Sequence, residues 1–120
     1  MHFIIGGAYQ GKVEYAKEKF HLKDGDIYTC SRDSAPDFSV SCLNHFENYI
    51  LYCMRQGTAD YTAHLSADTI VIADDIFCGV VPVDEETRAW REECGRAFTA
   101  IAKEAETVTR LFVGIPRRLK

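Results

Sequence analysis

The residues with the clearest chemical purpose are Gly6-Gly7-Ala8-Tyr9-Gln10-Gly11-Lys12, which fit the spacing G-x-x-x-x-G-K. Gly6 and Gly11 can take positive φ, so that successive backbone N–H groups turn inward around an anion. A helix opening at Lys12 adds the positive end of its dipole, and Lys12 adds a mobile ammonium for the β and γ phosphates of a nucleotide. The pattern therefore predicts that Gly6, Gly7, Ala8, Tyr9, Gln10, Gly11, Lys12 and Val13 hold nucleotide phosphates. In a working loop of this kind a Ser or Thr follows the lysine and binds Mg²⁺. Here that position is Val13, which has no hydroxyl. Phosphate binding rests on backbone and lysine and survives this loss, whereas metal-assisted phosphoryl transfer is weakened.

Such a loop needs a strand before it and a helix behind it. Phe3-Ile4-Ile5 reads as a short buried strand, and Val13, Ala16 and Phe20 mark one face of a following helix. Asp24-Gly25-Asp26 is a turn, and Ile27 to Cys30 a second strand running into the polar segment 31–37. From Cys42 to Gln56, Leu43, Phe46, Ile50 and Cys53 recur at helical spacing, with Gly57 as the stop. Thr69 to Ala73 is apolar on both faces, as a strand covered by helices on both sides must be, and it ends at Asp74-Asp75. Asp84-Glu85-Glu86 suit the start of a long helix with Trp90, Cys94, Phe98, Ile101 and Ala105 along one stripe. Leu111 to Gly114 and Pro116 to Leu119 read as a closing strand pair.

Strands alternating with helices predict an α/β fold of the P-loop NTPase-like (RecA-like) kind, with a mostly parallel sheet and an antiparallel pair at the end. Ligands of such sheets bind at the carboxyl ends of the strands, so the glycine loop and Asp74-Asp75 are expected at one edge. No repeat, linker or low-complexity tract divides residues 1–120, which are expected to form one domain. With 47% hydrophobic residues the chain can build a core. A net charge of −4 and a pI near 5.5 argue against nucleic acid or anionic lipid as a partner, since both need a basic face. No apolar run reaches spanning length, so no membrane partner is expected. Five widely spaced cysteines without a C-x-x-C pair predict buried, reduced thiols and a cytoplasmic location.

Beyond the loop, Ile70-Val71-Ile72-Ala73-Asp74-Asp75-Ile76-Phe77-Cys78-Gly79-Val80-Val81-Pro82 resembles the apolar strand and NEVG-x-GIVP block of the adenosylcobinamide kinase/guanylyltransferase (CobU) family. Arg88-Ala89-Trp90-Arg91-Glu92-Glu93-Cys94-Gly95-Arg96 is similar to that family's R-x-F-R-D-x-x-G-R helix. The segment Leu111 to Lys120 looks like its closing hairpin. The resemblance implies cobalamin biosynthesis: phosphorylation of a corrinoid alcohol, then transfer of GMP through a guanylylated histidine. It implies GTP or ATP as nucleotide, adenosylcobinamide as a partner and a homo-oligomer. Residue by residue, it places Thr29, Cys30 and Ser31 in a nucleotide-contacting loop and Asp74 and Asp75 at a position that holds Mg²⁺. Lys12 and Asp75 become the catalytic pair, the one steadying phosphates and the other acting on metal or hydroxyl.

Two departures bear on activity. The family's histidine follows the second strand, but residues 31–37 contain none, and His2, His21, His45 and His64 match nothing in the pattern. Covalent GMP transfer needs that nucleophile, so guanylyl transfer is not expected. Aligning residues 37–43 with the family's middle strand puts Ser41 where a carboxylate stands, so Mg²⁺ binding is expected to be weakened at both Val13 and Ser41. The reading is a nucleotide-binding protein with kinase activity, or a non-catalytic relative that senses nucleotide or corrinoid or scaffolds a pathway complex.

Overall fold

The computed structural model describes residues 1–77 and 84–120. The family-like block's Cys78 to Pro82 lies outside the described residues. The elements in chain order are β1 (His2–Gly6), α1 (Lys12–Phe20), a 3-10 turn (Asp24–Asp26), β2 (Ile27–Thr29), β3 (Cys42–Asn44), α2 (Phe46–Gln56), β4 (Ile70–Asp74), α3 (Glu85–Glu104), β5 (Thr107–Phe112) and β6 (Ile115–Arg118). They build one six-stranded sheet in the order β2-β3-β4-β1-β5-β6. The pairs β2–β3, β3–β4, β4–β1 and β1–β5 are parallel, and β5–β6 is antiparallel. This is the mostly parallel sheet with a closing antiparallel pair that the sequence predicts.

The central strands are apolar throughout because both faces are covered. Phe3, Val71, Ala73 and Val108 point into one core with α2 and α3, where Phe46, Ile50, Trp90, Cys94, Phe98 and Ile101 meet them. Ile4, Ile70, Ile72 and Leu111 point to the other face and pack on Ala16 of α1. The helix α2 stops where Gly57 takes φ 77° and its N–H bonds the carbonyls of Cys53 and Met54. The helix α3 starts at Asp84, whose carboxylate accepts from the Thr87 N–H, and runs twenty residues.

One expectation is corrected. Cys42 to Asn44 do not extend the helix that follows them; they form β3, with Cys42 opposite Ile70 and Leu43 opposite Val71. The spacing of Leu43, Phe46, Ile50 and Cys53 fits a helix by coincidence, because His45 between strand and helix takes φ 55° and turns the chain. That turn sets the first turn of α2, through Glu47, beside the carboxyl end of β4. Cys30, Cys42, Cys53 and Cys94 are buried free thiols, as expected, and Cys78 lies outside the described residues. Among the described residues no helix is long and apolar enough to cross a membrane.

Candidate functional site

The strand β1 lies between β4 and β5, so the chain leaving it at Gly6 emerges at the middle of the sheet's carboxyl edge. Gly6 stands opposite Asp74 on one side and Leu111 on the other. Its missing side chain is what permits this: a Cβ there would sit 2.6 Å from the Leu111 carbonyl oxygen. The positive φ expected at Gly6 is therefore not its role. Tyr9, at φ 60°, and Gly11, at φ 83°, turn the loop instead. Gly11 is the residue before α1 and offers no side chain to cap it, so the first-turn amides face the loop without a side-chain acceptor.

The tip of the β5–β6 hairpin braces this loop from outside. The Gly114 N–H donates to the Gln10 carbonyl at 3.1 Å, and the Val113 N–H donates to Gln10 Oε1. Between loop and sheet edge lies a cavity of about 280 Å³, lined by residues 8–14 with Asn44, His45 and Asp74. Tyr9 stands fully exposed at its lip.

Lys12 is 7% exposed and folds back over the loop. Its ammonium donates to the Gly7 carbonyl at 2.6 Å and lies 2.8 Å from Asp74 Oδ1. That oxygen is wholly shielded and meets the lysine as an ion pair, outside hydrogen-bonding geometry. The other side of Asp74 faces β3 and α2: its Oδ2 is 3.7 Å from His45 Nδ1, and its backbone N–H donates to Glu47 Oε1 at 2.9 Å. Glu47 is 3% exposed, and its Oε2 lies 2.8 Å from His45 Nδ1. Burial pushes the Glu47 carboxyl pKa up, while the bonds from the Asp74 N–H and His45 pull it back.

The structure thus brings together Ala8, Tyr9, Gln10, Gly11, Lys12, Val13 and Asp74, with Gly6 and Gly7 forming the stem behind them. It does not bring Asp75 into the cavity lining. The Asp75 N–H donates to the Gly6 carbonyl at 2.7 Å, its Oδ1 accepts from the Phe77 N–H, and its Oδ2 lies 4.0 Å from Arg110 on β5. Thr29, Cys30 and Ser31 sit beyond Asn44 at the β2 edge and do not line the cavity either. The Cys30 N–H bonds the Asn44 carbonyl at 2.8 Å, and its own carbonyl accepts from Asn48 at 3.3 Å, so that backbone is spent on the fold. Ser41 lies at the opposite end of β3, where its carbonyl accepts from the Ile70 N–H. A carboxylate at position 41 would be remote from the lysine, so Ser41 takes nothing from the site.

Two residues of the cluster escape the sequence reading. His45 and Glu47 fall inside a stretch that reads as one helix, where Glu47 looks like a polar interruption. The family's middle strand, aligned with residues 37–43, ends just before His45; followed in place of the apolar spacing, it sets His45 at the same sheet edge as Asp74.

The model of the CobU family, described as cobinamide kinase / cobinamide phosphate guanyltransferase, matches residues 41–119, more than half of the chain. The chain belongs to this family. The matched stretch runs from β3 to the closing hairpin and includes His45, Glu47 and Asp74; the glycine loop lies before it. A curated family relative, the bifunctional adenosylcobalamin biosynthesis protein CobP of Pseudomonas aeruginosa, is 29% identical over 89 residues, covering 68% of this chain and 51% of the relative. The chain spans about half the length of that relative.

Proposed function

We propose that residues 1–120 form one P-loop domain that binds a purine nucleoside triphosphate, GTP or ATP, with its phosphates against residues 6–13. The observation that carries this reading is Lys12: a buried ammonium folded back over the loop before an α-helix that has no side-chain cap, on the carboxyl edge of a parallel sheet. An ammonium with four methylenes is a point charge on a flexible stem. It can leave Gly7 and Asp74 for a phosphate without moving the backbone. The cavity of about 280 Å³ suits a phosphate chain, with ribose and base lying outside it toward Tyr9.

Family membership supports a cobalamin-related setting, with phosphorylation of a corrinoid alcohol such as adenosylcobinamide as the activity. In that reaction Lys12 steadies the transferred phosphate, and Asp74, beside it, orients the attacking hydroxyl. Asp75, read from the sequence as the catalytic carboxylate, braces the strand ends instead. Mg²⁺ in the usual P-loop position asks for a hydroxyl after the lysine, and Val13 has none, so the donor set there does not fit and no step is routed through it. Guanylyl transfer is left out because residues 31–37 offer no histidine. A cytoplasmic location and a homo-oligomer belong to the same reading.

The second reading, a non-catalytic relative that senses nucleotide or corrinoid, is favoured by Val13. Calorimetric titration with GTP and ATP, with and without Mg²⁺, separates the readings when paired with an assay of adenosylcobinamide phosphorylation. Binding with turnover that Lys12→Ala abolishes establishes the kinase. Binding without turnover leaves the sensor, and no binding at millimolar nucleotide removes the kinase and the nucleotide sensor.

A further inference from the structure

We propose that His45, Glu47 and Asp74 form a binding site for a divalent transition-metal ion, separate from the hydroxyl-dependent metal position that Val13 has lost. Three elements supply one ligand each: the β3–α2 turn gives an imidazole, the first turn of α2 a carboxylate, and the end of β4 a second carboxylate. His45 Nδ1 is 2.8 Å from Glu47 Oε2 and 3.7 Å from Asp74 Oδ2, and the three donor atoms all lie within 4.8 Å of one another. A tetrahedral ion with bonds of about 2.0–2.1 Å holds its ligands about 3.3 Å apart, so the two spacings from His45 need to change by only about half an ångström, and the two carboxylates, within 4.8 Å of each other, close on the ion by at most about 1.5 Å.

The charges argue the same way. Glu47 is buried to 3% exposure, and its carboxylate and that of Asp74 both face His45 Nδ1. Its hydrogen-bond partners are a half-exposed imidazole and a backbone amide, and Lys12 serves the far oxygen of Asp74. Two carboxylates turned toward one point in a low-dielectric pocket are costly unless a cation lies between them. A dication bound to Glu47 Oε2 and Asp74 Oδ2 supplies it and leaves Asp74 Oδ1 to Lys12. His45 and Asp74 also line the cavity, so a remaining coordination position opens toward the loop.

The ligand set selects the ion. One imidazole with two carboxylates suits Mn²⁺, Fe²⁺, Co²⁺ or Zn²⁺, whereas Mg²⁺ prefers oxygen ligands and retained water. The ligands are side chains outside the glycine loop, so metal binding can be measured without nucleotide, although Asp74 is shared with Lys12.

The test uses the whole chain, stripped with chelator and titrated with Co²⁺ without nucleotide, read by visible absorption and by calorimetry. The expected result is one equivalent bound, with d–d bands of a low-coordinate nitrogen and oxygen site and an affinity well above that for Mg²⁺. His45→Ala, a half-exposed position that should fold normally, is expected to weaken Co²⁺ by at least about tenfold, and Glu47→Gln to do the same. Asp75→Asn should leave the affinity unchanged. Failure of the native chain to bind Co²⁺, or binding that His45→Ala leaves intact, would overturn the proposal.

Discussion

Lys12 Nζ lies 2.8 Å from Asp74 Oδ1, joining the loop after β1 to the last residue of β4. Both groups are largely buried, with side-chain exposures of 7% and 20%, so each is the other's principal counter-charge. Removing either alone strands the partner. Lys12→Ala and Asp74→Asn are each expected to cost about 1–3 kcal/mol of folding stability. The double variant should cost less than their sum, with a coupling of about 0.5–3 kcal/mol in a denaturant double-mutant cycle. Strict additivity would mean that the pair does not form in solution.

Gly6 stands where two backbones close. A Cβ would meet the Leu111 carbonyl oxygen at 2.6 Å, against a strand that cannot swing aside as a side chain can. Gly6→Ala should therefore destabilise by about 1–3 kcal/mol, read as a lower urea midpoint, through separation of β1 from β5. An unchanged midpoint would show that the strands lie further apart than described.

The hairpin tip carries the opposite problem. Val113 sits at φ 51°, a left-handed conformation costly for a β-branched residue, while Gly114 beside it takes φ 74° at ease. Two successive positive φ values make a type I′ turn, whose preferred first residue is Asn. Val113 is 68% exposed, so little packing is lost on replacement. Val113→Asn is predicted to raise stability by about 1 kcal/mol, measured as a higher thermal midpoint.

Asp84 caps the long helix, and the Thr87 hydroxyl and N–H, both donating to Asp84 Oδ2, hold its carboxyl below the ordinary value of 3.8. A depressed pKa in the folded state means that the cap contributes stability above that ordinary value and loses it as pH falls through the folded one. The thermal midpoint of Asp84→Ala should lie below that of the native chain from neutral pH down to mildly acid solution. The gap should narrow in the acid range below 3.8. A gap that ignores pH would assign the effect to helix propensity instead of the charge.

The parts of this molecule legible in its sequence are those where one local cause dominates. The run Ile70-Val71-Ile72-Ala73 has no polar face, so it must be a doubly covered strand. Trp90, Cys94, Phe98 and Ile101 repeat with the helical period and are buried. What was hidden depends on a three-residue strand and on a non-glycine φ. Nothing in Cys42-Leu43-Asn44 outweighs the apolar spacing that continues into α2, and propensity gives no warning that His45 turns left-handed. The cost of that misreading fell on the site, since His45 and Glu47 reach Asp74 only because the chain turns there. Likewise, which of Asp74 and Asp75 meets Lys12 is decided by strand register, Gly6 opposite Asp74, and by nothing local to the pair.

The central claim is that the amides after β1 and the ammonium of Lys12 hold a phosphate chain. Adding inorganic triphosphate to isotope-labelled protein and following its amide resonances tests this most directly. The account predicts saturable shifts concentrated at residues 8–14, with smaller ones at Asn44, His45 and Asp74, and their loss in Lys12→Ala. Resonances that stay still at millimolar triphosphate, or that move only at the basic tail from Arg117 to Lys120, would contradict it.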